Sequence, residues 1–176
     1  MEINKRNIIL TGYMGSGKST VGKELSALTG LSLKDSDAEI EKTEGMSIND
    51  IFKIKGEEYF RELETSYLEK LLANGFNGIL SCGGGMPVKE ENRALLNRLG
   101  LVIYLKADAD TVMKRLKSDN SRPLLSKENE QEKYEKIKEM LIIRDPYYTS
   151  GAELVIDTSD RHPYDIAKEI ENFLLK

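Results

Sequence analysis

The chain has little of what disulfide-linked, membrane-spanning or nucleic-acid-binding proteins need. Its one cysteine, Cys82, cannot form an internal disulfide. No apolar run approaches the ~18 residues of a membrane span, and Met1–Arg6 does not lead into a signal peptide. A net charge of −4 argues against a general nucleic-acid or anionic-membrane binder. We therefore expect a cytoplasmic monomer with no nucleic-acid and no membrane partner.

Length and composition are ordinary for a globular protein. Hydrophobic residues make up 39% and charged residues 32% of the 176 residues. No internal repeat and no low-complexity linker divides the chain. We therefore assign residues 1–176 to a single domain, which is long enough to bury a substantial core.

A glycine-rich segment follows the first apolar run, Ile8–Leu10. Residues 12–20 read G-Y-M-G-S-G-K-S-T and match the phosphate-loop pattern G-x-x-x-x-G-K-[ST]. In such a loop, backbone N–H groups converge on phosphate oxygens, and the following helix adds positive partial charge. Lys18 can reach the β- and γ-phosphates, and the Ser19 hydroxyl can ligate Mg²⁺. We predict a nucleoside triphosphate site. Its contact residues are Gly12, Met14, Gly15, Ser16, Gly17, Lys18, Ser19 and Thr20.

Short apolar runs alternate with helical patterns along the chain. The apolar runs predict strands at Asn7–Thr11, Leu31–Asp35, Gly78–Cys82, Leu101–Leu105 and Glu153–Asp157. Periodicity and capping residues predict helices at Ser19–Thr29, Ser47–Lys55, Glu57–Ala73, Asn92–Leu99, Ala109–Ser118, Lys133–Ile143 and Tyr164–Leu175. This alternation predicts an α/β fold, in which helices cover both faces of a parallel sheet. Ligands of such sheets bind beyond the carboxyl ends of the strands.

Two carboxylates, Asp35 and Asp37, follow the second predicted strand. In extended chain their i, i+2 spacing points both the same way. Beside a phosphate loop, one can lie near Mg²⁺, directly or through water, and the other on the hydroxyl that accepts the phosphoryl group. The alternative is a solvated turn that caps the next helix. Their position at the ligand edge favours the catalytic interpretation.

Backbone and arginine groups complete the predicted ligand edge. Gly83–Gly85 follows the third strand and lets a ligand approach backbone N–H donors, although a flexible turn also fits. Arg61 and Glu64 lie i, i+3 on a predicted helix. They form either an exposed ion pair or a pair in which Glu64 orients Arg61 toward a substrate carboxylate. Further candidates, each of which also fits a surface position, are Arg115, Arg122 and Arg144.

The ordered set of these motifs resembles the shikimate kinase family. It comprises the phosphate loop, D-S-D at 35–37, F-R-E-L-E at 60–64, the glycine triplet at 83–85, R-P-L-L at 122–125 and R-D-P-Y-Y at 144–148. The resemblance implies the P-loop NTPase fold, a three-layer sandwich with a five-stranded parallel sheet of order 2-3-1-4-5. It also implies transfer of the γ-phosphate of ATP to the 3-hydroxyl of shikimate in the presence of Mg²⁺.

The resemblance further implies roles for individual residues. Lys18, Asp37 and Arg122 would be catalytic, with Asp37 holding the acceptor hydroxyls and Arg122 on a mobile lid over about residues 119–133. Asp35 would join Ser19 at the Mg²⁺ ion. Arg115 and Pro163 would enclose the adenine, and Arg122 would contact the ATP phosphates. The shikimate-binding region would cover about residues 35–64, and the full set of shikimate contacts would be Asp37, Phe52, Phe60, Arg61, Gly83, Gly84, Gly85 and Arg144.

Other small P-loop proteins are the alternatives to this interpretation. A gluconate kinase also acts on a carboxylated polyol, so a pair of arginines does not exclude it. A nucleoside monophosphate kinase is disfavoured because the Gly-x-Pro-Gly form of the loop is missing, and a GTPase switch because no Asn-Lys-x-Asp motif is present. The F-R-E-L-E and glycine-triplet elements favour shikimate.

Overall fold

The computed structural model describes residues 7–118 and 129–175. They form one five-stranded sheet in the order β2-β3-β1-β4-β5, in which all neighbouring strands are parallel. The predicted strand order is therefore confirmed, and each predicted strand is found within two residues of its expected ends. The strands are β1 (Ile8–Thr11), β2 (Leu33–Asp35), β3 (Ile79–Ser81), β4 (Leu101–Lys106) and β5 (Leu154–Asp157).

Helices fill the connections between the strands. A short 3₁₀ helix at Met86–Val88 follows the glycine triplet. None of the helices within the described ranges is both long and apolar enough to cross a lipid bilayer. The α-helices are α1 (Lys18–Thr29), α2 (Ser36–Glu44), α3 (Ile48–Lys55), α4 (Glu57–Ala73), α5 (Glu90–Leu99), α6 (Ala109–Ser118), α7 (Glu130–Gly151) and α8 (Pro163–Leu174).

Two apolar clusters lie on opposite faces of the sheet. Ile8 and Leu10 of β1 pack in one cluster with side chains of α1 and α8. Ile9, between them, packs in the other with side chains of α4 and α5. All three side chains are fully buried. The central strand is thus covered on both faces, which explains why its sequence is continuously apolar rather than alternating.

Helix α2 is absent from the sequence-based prediction, and it corrects the expected geometry of the two carboxylates. Asp35 ends β2, whereas Asp37 lies in the first turn of α2, so the two do not belong to one extended segment. Asp35 Oδ1 accepts hydrogen bonds from the N–H groups of Asp37 at 3.1 Å and Ala38 at 3.2 Å. Asp35 is therefore the N-cap of α2, because its side chain binds N–H groups of the first helical turn.

Helix α7 is longer than the predicted Lys133–Ile143. It begins after Asn129, whose side chain accepts from Glu132 N, and it continues through Pro146 to Gly151. Proline normally ends a helix because it lacks an N–H donor. Here tertiary contacts hold the last turns in place, as described below for Tyr148. Residues 130–133 of the predicted lid form the first turn of α7, and residues 119–128, including Arg122, lie outside the described residues.

The side chain of Asn7 joins the amino ends of the three central strands. Its Nδ2 donates to the carbonyls of Phe76 and Leu99, both at 2.8 Å, and its Oδ1 accepts from Gly78 N at 2.9 Å. These partners immediately precede β3 and β4. One side chain therefore aligns three strands at the edge opposite to the ligand edge.

We expect Asn7→Ala to lower the free energy of unfolding by about 2–3 kcal/mol, since each lost hydrogen bond contributes about 1 kcal/mol. Urea unfolding at constant m-value measures this loss. Asn77→Ala, which truncates an exposed side chain in the neighbouring loop, is the matched control and should change stability by less than about 0.5 kcal/mol. Equal effects of the two substitutions would contradict the strand-aligning role of Asn7.

Candidate active site

The carboxyl ends of the central strands open onto two adjoining cavities. The first, of about 410 Å³, is lined by residues 14–21 of the glycine-rich loop and α1, and by Arg115 and Pro163. The second, of about 550 Å³, lies between the same loop and helices α2, α3, α4 and α7. Ligands in the two cavities would meet where the linings overlap. The residues that line both are Met14, Asp35, Asp37 and Gly84.

The glycine-rich loop takes a backbone path that side chains would obstruct. Gly12 has φ +143°, and a Cβ there would overlap the carbonyl oxygen of Leu105. Gly17 precedes α1 with φ +97°, and within the described part of the chain no side chain caps this helix end. The N–H groups of the first turn and the positive end of the helix therefore remain available to the cavity. This arrangement fits a phosphate group.

Lys18 brings a full positive charge to the same place. Its Nζ donates to the carbonyls of Gly12 at 2.8 Å and Tyr13 at 2.9 Å. These contacts hold the ammonium group over the loop, beside the N-terminus of α1. The predicted loop residues 14–20 all line the first cavity, whereas Gly12 lies behind them as a partner of Lys18.

Ser19 and Asp35 form an oxygen pair at the border of the two cavities. Ser19 Oγ donates to Asp35 Oδ2 at 3.3 Å, while the other oxygen of Asp35 caps α2. Hydroxyl and carboxylate oxygens are suitable ligands for Mg²⁺. Residues 7–118 and 129–175 contain no cluster of three acidic, histidine or cysteine side chains that could bind a metal alone. The pair therefore fits an Mg²⁺ ion, for which water and phosphate oxygens would supply the other ligands.

Arg115 is bound between the loop and the end of β5. Its guanidinium donates to Gly15 O at 3.2 Å and to Thr158 O at 2.7 Å. Burial lowers the pKa of Arg115, and the charges of Asp160 and Asp108 oppose this shift. Arg115 and Pro163 do line one cavity, as the predicted adenine contacts require. Thr158, which directly follows β5, is the buried residue that links Arg115 to the loop: its carbonyl accepts from Arg115 and its hydroxyl donates to Ser16 O at 3.0 Å.

The glycine triplet allows charged side chains that line the second cavity to approach its backbone closely. A Cβ on residue 83 would overlap the carboxylate of Asp37, and a Cβ on residue 85 would overlap the guanidinium of Arg61. At residue 84, a Cβ would lie 3.8 Å from Arg144 Nη1. Glycine at positions 83 and 85 therefore leaves room for these two charged groups where they lie.

Arg61 is oriented by two carboxylates of its own helix. Its Nη1 lies 2.7 Å from Glu64 Oε2, and its Nη2 lies 2.9 Å from Glu57 Oε1. The Glu64 side chain is fully buried, so the alternative of an exposed ion pair is wrong. Burial alone would lower the pKa of Arg61, but Glu64 and Glu57 raise it above its ordinary value. Glu57 was not predicted to contact Arg61, although residues spaced i and i+4 on a helix are neighbours.

Arg144 faces the same cavity from α7. Its guanidinium carbon lies 5.6 Å from the centre of the Tyr13 ring, and it lines the second cavity together with Arg61. Two cations from separate helices therefore border one space. A planar carboxylate is the ligand group that such a pair of guanidinium groups suits.

The rings of Phe52 and Phe60 form an apolar wall in the second cavity. Their centres are 4.9 Å apart in an edge-on arrangement. Phe60 is also a core residue at 3% exposure, whereas Phe52 is 36% exposed. The cavity thus combines apolar, acidic and basic surfaces. All residues predicted to contact shikimate line it, namely Asp37, Phe52, Phe60, Arg61, Gly83, Gly84, Gly85 and Arg144.

The parallel sheet, the helix-terminal phosphate loop and the adjoining charged cavity define a P-loop phosphotransferase of small molecules. Residues 14–175 match the family model described as shikimate kinase. The chain is 45% identical to the shikimate kinase of Thioalkalivibrio sulfidiphilus over 95% of this chain and 86% of that one. It is 44% identical to that of Persephonella marina, over 94% and 96%. The chain belongs to the shikimate kinase family.

A solved structure supports the same assignment. The shikimate kinase from Acinetobacter baumannii in complex with shikimate matches with a TM-score of 0.85 at 37% identity. The match covers 98% of this chain and 94% of that one. The agreement thus includes the sheet and the helices that form both cavities.

Glu64 generates a pH-dependent prediction. Burial raises its pKa from 4.5 to about 7, although the charge and hydrogen bond of Arg61 oppose this shift. The folded protein therefore retains this proton to higher pH than the unfolded chain does. Because the folded state binds more protons between about pH 4.5 and 7, Glu64 makes the free energy of unfolding fall as pH rises through this window.

Glu64→Gln removes this titration, so the variant should gain stability relative to the parent as pH rises through the window. The relative gain should be at most about 3.5 kcal/mol, at about 1.4 kcal/mol per pKa unit. Urea unfolding at several pH values measures it. Glu62→Gln, an exposed carboxylate on the same helix, should follow the parent curve. Parallel curves for the parent and Glu64→Gln would contradict the assignment.

Proposed function

We propose that the protein transfers the γ-phosphate of ATP to the 3-hydroxyl of shikimate, giving ADP and shikimate 3-phosphate. The observation that carries the proposal is the juxtaposition of the two cavities. One contains the phosphate loop, the other contains Arg61 and Arg144, and Asp37 lines both. Membership of the shikimate kinase family supports an ATP-dependent kinase that acts on shikimate.

Positively charged groups would bind the nucleotide. The N–H groups at the start of α1 and the Lys18 ammonium would bind the phosphates and stabilise the transferring phosphoryl group. Ser19 and Asp35 would hold Mg²⁺, directly or through water. When bound, the ion neutralises charge on the phosphate oxygens. Arg115 and Pro163, which line the same cavity, would enclose the adenine.

Asp37 serves the acceptor side. Its carboxylate packs against the backbone of Gly83 at the border of the two cavities. In this position it would orient the attacking hydroxyl and accept its proton as the oxygen–phosphorus bond forms. Arg61 and Arg144 would fix the shikimate carboxylate, and the wall of Phe52 and Phe60 would support the ring.

The domain organisation, the lid and the cellular location are also part of the proposed function. Residues 1–176 would form one kinase domain, with acceptor contacts concentrated at about residues 35–64. A lid over about residues 119–133 would bring Arg122 to the phosphates and exclude water from the reaction. The enzyme would act as a cytoplasmic monomer.

The direct test is ADP release from Mg²⁺–ATP with and without shikimate. We expect turnover that depends on shikimate, and a product whose phosphorus and proton NMR spectra place the phosphate on the 3-oxygen. Gluconate and AMP serve as alternative acceptors. Shikimate-independent turnover, or preference for either alternative acceptor, would refute the proposed function.

The two arginines generate a prediction about substrate identity. Losing either leaves the substrate carboxylate poorly paired, which costs about 2–5 kcal/mol. Arg61→Ala and Arg144→Ala should therefore each raise the KM for shikimate by tens-fold to thousands-fold and leave the KM for ATP nearly unchanged. Steady-state kinetics with each substrate varied separately measures both constants.

Two controls complete this prediction. Arg98→Ala removes an exposed arginine near the end of α5, at the opposite edge of the sheet, and should leave both constants unchanged. Shikimate with its carboxylate reduced to an alcohol should be a poor substrate that barely discriminates between the parent and the arginine variants. If the reduced compound works as well as shikimate, the arginines do not bind a carboxylate.

A further inference from the structure

Tyr148 is a buried residue of α7 that has none of the roles proposed for the other site residues. It lies one helical turn after Arg144 on α7, and it is 1% exposed. Its hydroxyl donates to the carbonyl oxygen of Gly84 at 2.6 Å. Gly84 lines both cavities, so this hydrogen bond fixes α7 to the wall between them.

The same stretch of α7 places Arg144 beside Gly84. A Cβ on residue 84 would lie 3.8 Å from Arg144 Nη1. Burial raises the pKa of Tyr148 to about 12, and the charge of Arg144 opposes that rise. The phenol and the guanidinium group of α7 therefore both lie close to the glycine triplet.

Packing holds the Tyr148 ring where its hydrogen bond to Gly84 can form. Its centre lies 5.0 Å from that of Tyr104, in a buried cluster that also includes Tyr13 and Ile137. The backbone constrains this turn less than usual, because Pro146 has no N–H to donate to the carbonyl four residues earlier. Side-chain contacts therefore orient the turn that carries Arg144.

We propose that Tyr148 is a positioning residue for acceptor binding, because its hydroxyl anchors the part of α7 that carries Arg144 to the Gly84 carbonyl. The connection sets the direction in which α7 presents its cation to the second cavity. The inference rests on the proposed role of Arg144 in binding the shikimate carboxylate. It adds a buried phenol to the groups that select a carboxylated acceptor.

Tyr148→Phe tests the inference, since it keeps the ring and removes only the hydroxyl. We expect the KM for shikimate to rise about 10-fold, as for the loss of one buried hydrogen bond. The kcat and the KM for ATP should stay within about two-fold of the parent values, because the hydroxyl that is removed bonds to Gly84 rather than to the phosphate loop. An unchanged KM for shikimate would overturn the proposal.

Tyr104→Phe is the matched control. Tyr104 belongs to the same ring pair, is equally buried, and its hydroxyl also contacts α7, donating to Asp145 Oδ1 at 3.0 Å. A general loosening of α7 would affect both variants alike. We expect a comparable loss in Tm for the two, but an unchanged KM for shikimate in Tyr104→Phe. An equal rise in KM would assign the effect to the seating of the helix and overturn the specific role of Tyr148.

A double-mutant cycle separates this inference from the proposed function. In an Arg144→Ala background, Tyr148→Phe should have no further effect on the KM for shikimate, and with the reduced alcohol it should have no effect in any background. Additive losses would overturn the inference. Failure of the parent enzyme to phosphorylate shikimate would instead refute the proposed function, so the two failures are distinguishable.

Discussion

The acceptor side of the site depends on a stretch of backbone that carries no side chains. Asp37 from α2 and Arg61 from α4 both occupy space that a Cβ on residue 83 or 85 would take. Tyr148 from α7 binds the carbonyl of the glycine between them. Glycine at positions 83 and 85 therefore leaves room for charged groups of α2 and α4, and Gly84 supplies the carbonyl that α7 binds.

Charge in this cavity is balanced by a buried carboxylate. Glu64 is fully buried, and among the described residues its Oε1 accepts no hydrogen bond, so its ionised form depends on Arg61. Burying such a group is unfavourable unless it is paired. In return, the Arg61 guanidinium has a fixed direction, because its ion pairs with Glu64 and Glu57 together leave it a single orientation along the cavity wall. The fold thus accepts a cost in stability in the cavity where we propose that the substrate carboxylate binds.

The sequence predicted the sheet well and two connections poorly. Nearly continuous apolar runs identified the central strands β1, β3 and β4, because these strands are buried on both faces of the sheet. Helix α2 was missed because its polar sequence, Ser36–Glu44, lacks a clear apolar stripe, and it begins directly at the Asp35 cap. The end of α7 was missed because Pro146 is a local signal to stop, and distant contacts of Asp145 and Tyr148 override it.

The phosphate site could be identified from the chain alone, because all its main groups lie within residues 12–20 and one strand–loop–helix turn brings them together. The family resemblance likewise pointed to Arg61 and Arg144. Local sequence could not show that these two cations border one cavity, that Glu64 is buried, or that Tyr148 anchors α7 to the glycine triplet. Those relations join residues far apart in the chain, so they exist only once the parallel sheet has placed the carboxyl ends of its strands side by side.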